Sequence, residues 1–282
     1  MRGRGPELCG LRYRSLMPIA HVNGTSLHYR DAGTSRSARD AVVLLHAFPL
    51  HSGMWARQIA ALEARHRVIA PDYRGMGRSS LPPEALTMDV VAEDVRALLA
   101  HLRVERAAVV GLSMGGYACF ELYRRSPGLF RGLTLCDTKA AADTEEAAAA
   151  REAFARKAIE RGLGWVADEM IPRLLRPSPD PAVVREVRHL VGGATPAGVA
   201  ACQRGMARRP DSTSTLAALA CPVLFVVGEH DAGTPPAEAE NMAAAVKGSR
   251  VVRIPSAGHL SNLENPPAFD EALMAFVDGL PA

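Results

Sequence analysis

The stretch VVGLSMGGYA, residues 109–118, sets one serine among three glycines, between a branched apolar run and a segment of helical composition. Ser113 stands between Gly111 and Gly115. A chain that turns abruptly from a strand into a helix pushes the residue at the turn out over the sheet edge. It strains that residue's backbone, and small neighbours relieve the crowding. G-x-S-x-G carries chemistry only where a strand precedes it and a helix follows. Both flanks qualify: AAVVGL (107–112) reads as a strand and Met114–Arg125 as a helix. A serine hydroxyl is a weak nucleophile near neutral pH and needs a partner base. Ser113 is therefore the candidate nucleophile, and the rest of the chain must supply a base, an acid and donors for an oxyanion.

Working outward, the β/α rhythm continues on both sides. Ile19–Val22 and Ser26–Arg30 flank Asn23-Gly24, a hairpin turn in which both residues tolerate positive φ. AVVLLHAFP (41–49) is a continuous apolar run of the kind buried on both faces of a parallel sheet. Met54–Ala64 reads as a helix, RVIAPD (67–72) as a strand, and Thr87 opens a helix with Val91, Val95, Leu98 and Leu102 on one face. After GLTLCD (132–137) the alternation stops, and only helices follow. One runs from Thr144 to near Gly162 and one spans Trp165–Leu175; Pro181 and Pro196 read as first-turn prolines of two more. The rhythm resumes with PVLFVVGEHD (222–231), the helix Pro236–Val246, the strand RVVRIP (250–255) and a helix from Pro267. The expected fold class is α/β: a mostly parallel central sheet with an N-terminal antiparallel hairpin, helices on both faces and a helical cap insertion. Residues 17–137 and 215–282 form the expected core, residues 138–214 the cap, and residues 1–16 a disordered extension.

Composition limits the alternatives. The 282 residues, 48% of them apolar, suffice for one large α/β domain or a domain with an insertion. The net charge of +3 is accounted for by Arg2, Arg4, Arg12 and Arg14 against Glu7, so the remainder is neutral and offers no nucleic-acid surface. No apolar run approaches the roughly 18 residues of a membrane span; the N-terminal segment lacks the apolar stretch of a secretory signal, and its Arg-rich, acid-poor composition leaves a short organelle-type leader as the alternative to a disordered extension. The five cysteines lack paired spacing and read as reduced thiols of a cytoplasmic protein, mostly small core residues.

The partners of Ser113 follow from position. Ligand crevices of open α/β sheets lie at the carboxyl edge of the strands. Of nine histidines, His259 sits there, in PSAGHLSNLENP (255–266) after the last strand, and is the candidate base. His46 ends a strand too, but as part of HAFP it reads as a loop-internal hydrogen-bonding group; His230 reads as solvent-exposed, and His66, His101 and His189 fall at helix ends or surfaces. A base of this kind needs a carboxylate to fix its tautomer. Asp231 is preferred, because it follows the neighbouring strand and gives the chain order Ser, Asp, His. Asp137 is the rival, with a turn cap as its plainer role. Oxyanion donors are expected from the backbone N–H of Met114, at a helix N-terminus, and of Phe48, in HAFP. Phe154, Trp165, Met170 and Met206 are candidate pocket-wall residues, each with simple interhelix packing as the alternative. The wall is expected to be apolar, favouring small or medium acyl groups over charged ones.

HAFP, PDYRGMGRSS, GLSMGG, GEHD and AGHLSNLENP occur in the order and at about the distances seen in α/β-hydrolase fold enzymes. From about Met17 to the C-terminus the chain resembles that family, and within it small carboxylesterases and 3-oxoadipate enol-lactonase-like hydrolases. The resemblance implies Ser113, Asp231 and His259 as a catalytic triad, the Phe48 and Met114 amides as an oxyanion hole, and Asp72–Ser79 as a structural loop. It implies ester or lactone hydrolysis through an acyl-enzyme, with no metal and no organic cofactor, on a small-molecule substrate. Ala47 stands where glycine is common, and HAFP replaces the Ser-Asn-Ser-type stretch usual in enol-lactonases. A dehalogenase or epoxide hydrolase would carry aspartate at position 113, and residues 139–211 hold no tyrosine to activate an epoxide. Two alternatives stay open: a cofactor-free perhydrolase or haloperoxidase using the same triad, and a non-catalytic small-molecule receptor on the same fold.

Overall fold

Asn23 and Gly24 both take positive φ, 47° and 68°. The turn they make pairs β1 (Ile19–Val22) with β2 (Thr25–Ala32) in antiparallel register, Val22 opposite Thr25. Six further strands follow: β3 (Asp40–Leu45), β4 (Val68–Pro71), β5 (Arg106–Leu112), β6 (Phe130–Cys136), β7 (Val223–Gly228) and β8 (Arg250–Ile254). This is a computed structural model, and it describes residues 18–33, 39–82 and 84–281. The extension expected over residues 1–16 lies outside the described residues.

The sheet order is β1-β2-β4-β3-β5-β6-β7-β8. β2 also pairs antiparallel with β4, and all other neighbours are parallel. Every residue of β4 and β7 is buried, as apolar runs covered on two faces require. The helices on the sheet are α1 (Ala56–Leu62), α2 (Met88–His101) and α3 (Met114–Arg125). β3 leads through α1 to β4 on one side, and β4 leads through α2 to β5 on the other side of β3. Right-handed crossovers put the helices of two such opposed steps on opposite faces. The packing agrees, with α2 against α3 on one face and α1 against a C-terminal helix on the other. The expected fold class is thus observed. β3 and β5 flank the point where the strand order reverses, which is where open α/β sheets leave a crevice.

Between β6 and β7 lie α4 (Glu145–Leu174), α5 (Pro181–Val191), α6 (Pro196–Ala207) and the short α7 (Thr213–Ala217). Local chemistry starts them. Thr144 accepts from the Ala147 N–H at 3.2 Å, Asp180 from Ala182 at 2.7 Å and Thr195 from Gly198 at 2.9 Å. Pro181 and Pro196 occupy first turns. α4 is broken at Gly162, with φ 75° and ψ −175°, so its two halves meet where the sequence expects one helix to end and another to begin. This helical group is tied to loops of the core by backbone bonds, Leu86 N–H to Ala201 O (2.9 Å) and Leu260 N–H to Leu174 O (3.0 Å), and its two ends are joined by Ser212 N–H to Ala140 O (2.9 Å).

The chain ends with α8 (Pro236–Ala244), α9 (Ser261–Glu264) and α10 (Pro266–Asp278). Trp55, fully buried, meets Phe269 of α10 with ring centroids 6.2 Å apart and fixes α1 against α10. Large side chains so buried each contribute about 1.5–3 kcal/mol of transfer free energy.

Candidate active site

Ser113 has φ 54° and ψ −112°, a region that costs a non-glycine residue about 1–3 kcal/mol. Its surroundings hold it there. The Ser113 N–H donates to Cys136 O at 2.9 Å, and its carbonyl accepts from Gly116 N–H (2.9 Å) and from the Thr138 hydroxyl (2.8 Å). Space is as tight as the glycines imply. A Cβ on Gly111 would lie 2.4 Å from the Gly115 carbonyl oxygen, and one on Gly115 would lie 2.2 Å from that of Leu45. Helix α3 can therefore start directly over the ends of β3 and β5, with Ser113 at the turn.

The loop after β3 is equally determined. His46 is fully buried; its Nδ1 lies 3.0 Å from Ala47 O and its Nε2 accepts from the Tyr73 N–H at 3.1 Å. Burial chiefly holds its pKa down to about 4, so it stays neutral and keeps this arrangement. Phe48 follows and lines a cavity of about 350 Å³ together with Ser113 and His259. Met114 is the first residue of α3, where N–H groups have no partner inside the helix. Among the described residues neither the Phe48 nor the Met114 N–H donates to a protein acceptor.

His259 Nδ1 lies 2.8 Å from Asp231 Oδ2; the histidine side chain is 11% exposed and the aspartate fully buried. Asp231 accepts three further bonds: from Gly233 N–H (2.8 Å) and Thr234 N–H (3.0 Å) on Oδ1, and from the Thr234 hydroxyl (2.5 Å) on Oδ2. Burial opposes charge on both partners. The bond to His259 and its charge nonetheless hold Asp231 below its usual range, and the bond and charge of Asp231 raise His259 above 6.5. Asp231 is thus an anion that orients an imidazole whose other nitrogen is left for chemistry.

Asp137, the rival acid, ends β6 with φ 45°. It is buried beneath the pair, accepts from Gly228 N–H at 2.7 Å and from the Ser261 hydroxyl at 2.5 Å, and makes no hydrogen bond to His259 among the described residues. Burial, with the nearby charge of Asp231, pushes its pKa up to about 8, so near neutral pH it is largely protonated.

Of the four wall candidates, Phe154, Met170 and Met206 line the cavity. Trp165 does not; it packs on Phe154 with ring centroids 4.9 Å apart. The wall is also not uniformly apolar as expected: Lys139, Asp143, Arg151 and Gln203 line it too. These residues follow β6 or sit on α4 and α6, where a polar residue reads as solvated surface until the helices fold over the sheet edge. Sequence reasoning also passed over Thr234 and Ser261. The D-x-x-T spacing of Asp231 and Thr234 was a signal for the first; nothing pointed to the second. Among the described residues no group of three or more His, Cys, Asp or Glu could hold a metal ion, and no helix is long and apolar enough to cross a membrane.

The model of a family described as alpha/beta hydrolase fold matches residues 40–266. The curated relatives include 3-oxoadipate enol-lactonase 2 of Acinetobacter baylyi, 30% identical over 92% of this chain and 98% of that protein. Among solved structures, a thermophilic esterase from Thermogutta terrifontis, with malate bound, superposes with TM-score 0.86 at 41% identity, covering 90% of this chain and 93% of that one. The enol-lactonase from Burkholderia xenovorans LB400 does so with TM-score 0.85 at 32% identity, covering 93% and 100%.

Proposed function

Since the chain belongs to the α/β-hydrolase fold family, we propose that it is a serine hydrolase that cleaves a small or medium carboxylic ester or lactone through an acyl-enzyme. The observation that carries this reading is the Asp231–His259 pair, bonded at 2.8 Å, facing the same cavity as the strained turn of Ser113. Ser113 Oγ attacks the substrate carbonyl carbon while His259 Nε2 takes its proton. Asp231 keeps the Nδ1–H tautomer and stabilises the imidazolium. The amides of Phe48 and Met114 donate to the oxyanion, each worth about 10²–10³ in turnover, and the positive end of α3 adds to the second. His259 then protonates the leaving alcohol, and water repeats the sequence to release the acid. In a lactone the alcohol stays tethered to the acyl group. Among the described residues the Ser113 hydroxyl has no hydrogen bond to the imidazole, a contact that often tightens only with substrate bound.

The helices of residues 138–214 act in this reading as a cap that closes the cavity over Ser113. Ester and lactone chemistry has the support of the three relatives described above, two called enol-lactonases and one an esterase.

The test is stopped-flow hydrolysis of 4-nitrophenyl acetate with mass spectrometry of the quenched protein. The expected result is a burst of nitrophenolate matched by an acetyl adduct on the Ser113 peptide. Turnover with no dependence on Ser113 would overturn the proposal. A panel of alkyl esters and lactones then ranks substrates, and peroxide in place of water tests for perhydrolysis.

A further inference from the structure

The cavity wall carries a charge imbalance that hydrolysis of a neutral ester does not use. Asp143 is buried, its side chain 2% exposed, and three cations surround it. Arg151 Nε bonds to its Oδ2, Arg209 Nη1 lies 2.8 Å from the same oxygen, and Lys139 Nζ is 3.7 Å from Oδ1. Arg209 is 3% exposed and lies with its guanidinium 4.2 Å over the ring of Tyr117, behind the wall. Lys139 and Arg151 keep 29% and 22% of their side chains accessible, and both line the cavity. The next carboxylate, Asp211, is exposed and already accepts from the Ala142 and Thr213 N–H groups. Glu152 is committed to Arg204, and Arg173, also on the wall, pairs loosely with Glu169 at 3.7 Å. One buried anion thus faces three cations, two of which border the cavity.

We infer that Lys139 and Arg151 form a subsite for a carboxylate carried by the substrate, so that the preferred ester or lactone is an acidic one. This inference rests on the hydrolase reading above. Arg151 is held by Asp143 and by a 3.0 Å bond to Gln203 Oε1, so it presents a fixed guanidinium rather than a mobile one. Among the described residues Lys139 has only the long contact to Asp143, and it can swing its ammonium onto a ligand. Its position is tied to the chemistry as well, because the preceding residue, Thr138, bonds the Ser113 carbonyl. Phe48, Phe154, Met170, Leu174 and Met206 add apolar surface to the cavity, which suits a short carbon chain between the two polar ends. A volume of about 350 Å³ is at the small end of the roughly 300–1,000 Å³ usual for ligand pockets. A net positive wall in a partly closed space also attracts an anion before contact.

The experiment compares methyl half-esters of succinic, glutaric and adipic acids with the corresponding dimethyl esters, by kcat/KM in a pH-stat near pH 7.5. The expected result is a preference per ester bond for at least one half-ester over its diester of roughly tenfold or more, the value of a charge-assisted bond. Lys139→Met should lower the half-ester to diester ratio about tenfold, and Lys139→Arg should restore most of it. Arg151→Lys should lower the ratio less than Arg151→Met, with melting curves to exclude variants that do not fold. A wild-type ratio at or below one for all three acids, or a ratio that Lys139→Met leaves unchanged, overturns the inference while esters are still cleaved. Failure of wild type to turn over 4-nitrophenyl acetate and every one of these methyl esters would instead remove the hydrolase reading on which it rests.

Discussion

Replacing Asp231 with asparagine tests which acid serves His259, and the hydrogen bonds set the expected size of the effect. Asp231 Oδ1 accepts from two backbone amides, Gly233 and Thr234, while Oδ2 faces His259 Nδ1 and the Thr234 hydroxyl. An asparagine NH2 in the Oδ1 position would meet two N–H donors and leave them unsatisfied, at about 1–3 kcal/mol each. The NH2 must therefore take the Oδ2 position, where the Thr234 hydroxyl can turn to accept. It then donates to His259 Nδ1 and forces the proton onto Nε2, the nitrogen that has to accept from Ser113. The wrong tautomer costs about 10⁴ in kcat in a triad of this kind. Asp231→Asn should accordingly fold with nearly wild-type melting behaviour and lose about 10⁴ in kcat on 4-nitrophenyl acetate. Asp137→Asn should lose far less, because Asp137 bonds Gly228 and Ser261 rather than the imidazole. An Asp231→Asn enzyme that keeps a tenth of its activity, beside an inactive Asp137→Asn, would refute the reasoning and make Asp137 the acid.

Other expectations follow from the same geometry. The acid limb of kcat/KM for wild type should have its midpoint above 6.5. Asp231 raises the His259 pKa against the effect of burial, and activity is lost as pH falls through that value; a midpoint at or below 6.5 counts against the pair. The Asp137 carboxyl, raised from 3.8 to about 8 chiefly by burial, contributes stability that is full below pH 3.8 and lost as pH rises through about 8. Asp137→Asn should therefore gain on wild type in thermal melting between pH 5 and pH 8.5, and a difference that stays constant over this range would show that the carboxyl is charged throughout. Gly115→Ala would put a methyl 2.2 Å from the Leu45 carbonyl oxygen, a backbone atom that cannot step aside. It should cost about 1–3 kcal/mol or more in denaturant unfolding and disable turnover, and a neutral result would mean that α3 is less tightly set on β3 than described.

The parts of this protein that were legible in sequence are those whose local chemistry decides them. β3, β5 and β7 are continuous apolar runs, and a buried parallel strand leaves little else for such a run to be. Asn23-Gly24 specifies its own hairpin, and Thr144, Pro181 and Pro196 announce helices, whose free N–H groups the side chains of Thr144, Asp180 and Thr195 then satisfy. The glycines around Ser113 mark a close backbone approach before the partner strands are known. What stayed hidden depends on which way a helix faces after packing. Phe154 and Met170 lie on the two halves of α4 and line one cavity, with the break at Gly162 between them, while Trp165 turns to stack on Phe154. Nothing in the sequence singles out Lys139 and Arg151, because the Asp143 carboxylate that gathers them, with Arg209 from after α6, is a tertiary contact. The bonds of Asp137 to Ser261 and Gly228 join residues far apart in the chain.

The central claim is that Ser113 is a nucleophile activated by His259. Labelling with a fluorophosphonate, mapped by peptide mass spectrometry, tests it most directly. The account predicts a single adduct on Ser113, absent in Ser113→Ala and formed at least a hundredfold more slowly in His259→Ala. An adduct at another residue, or equal labelling of wild type and Ser113→Ala, would contradict it.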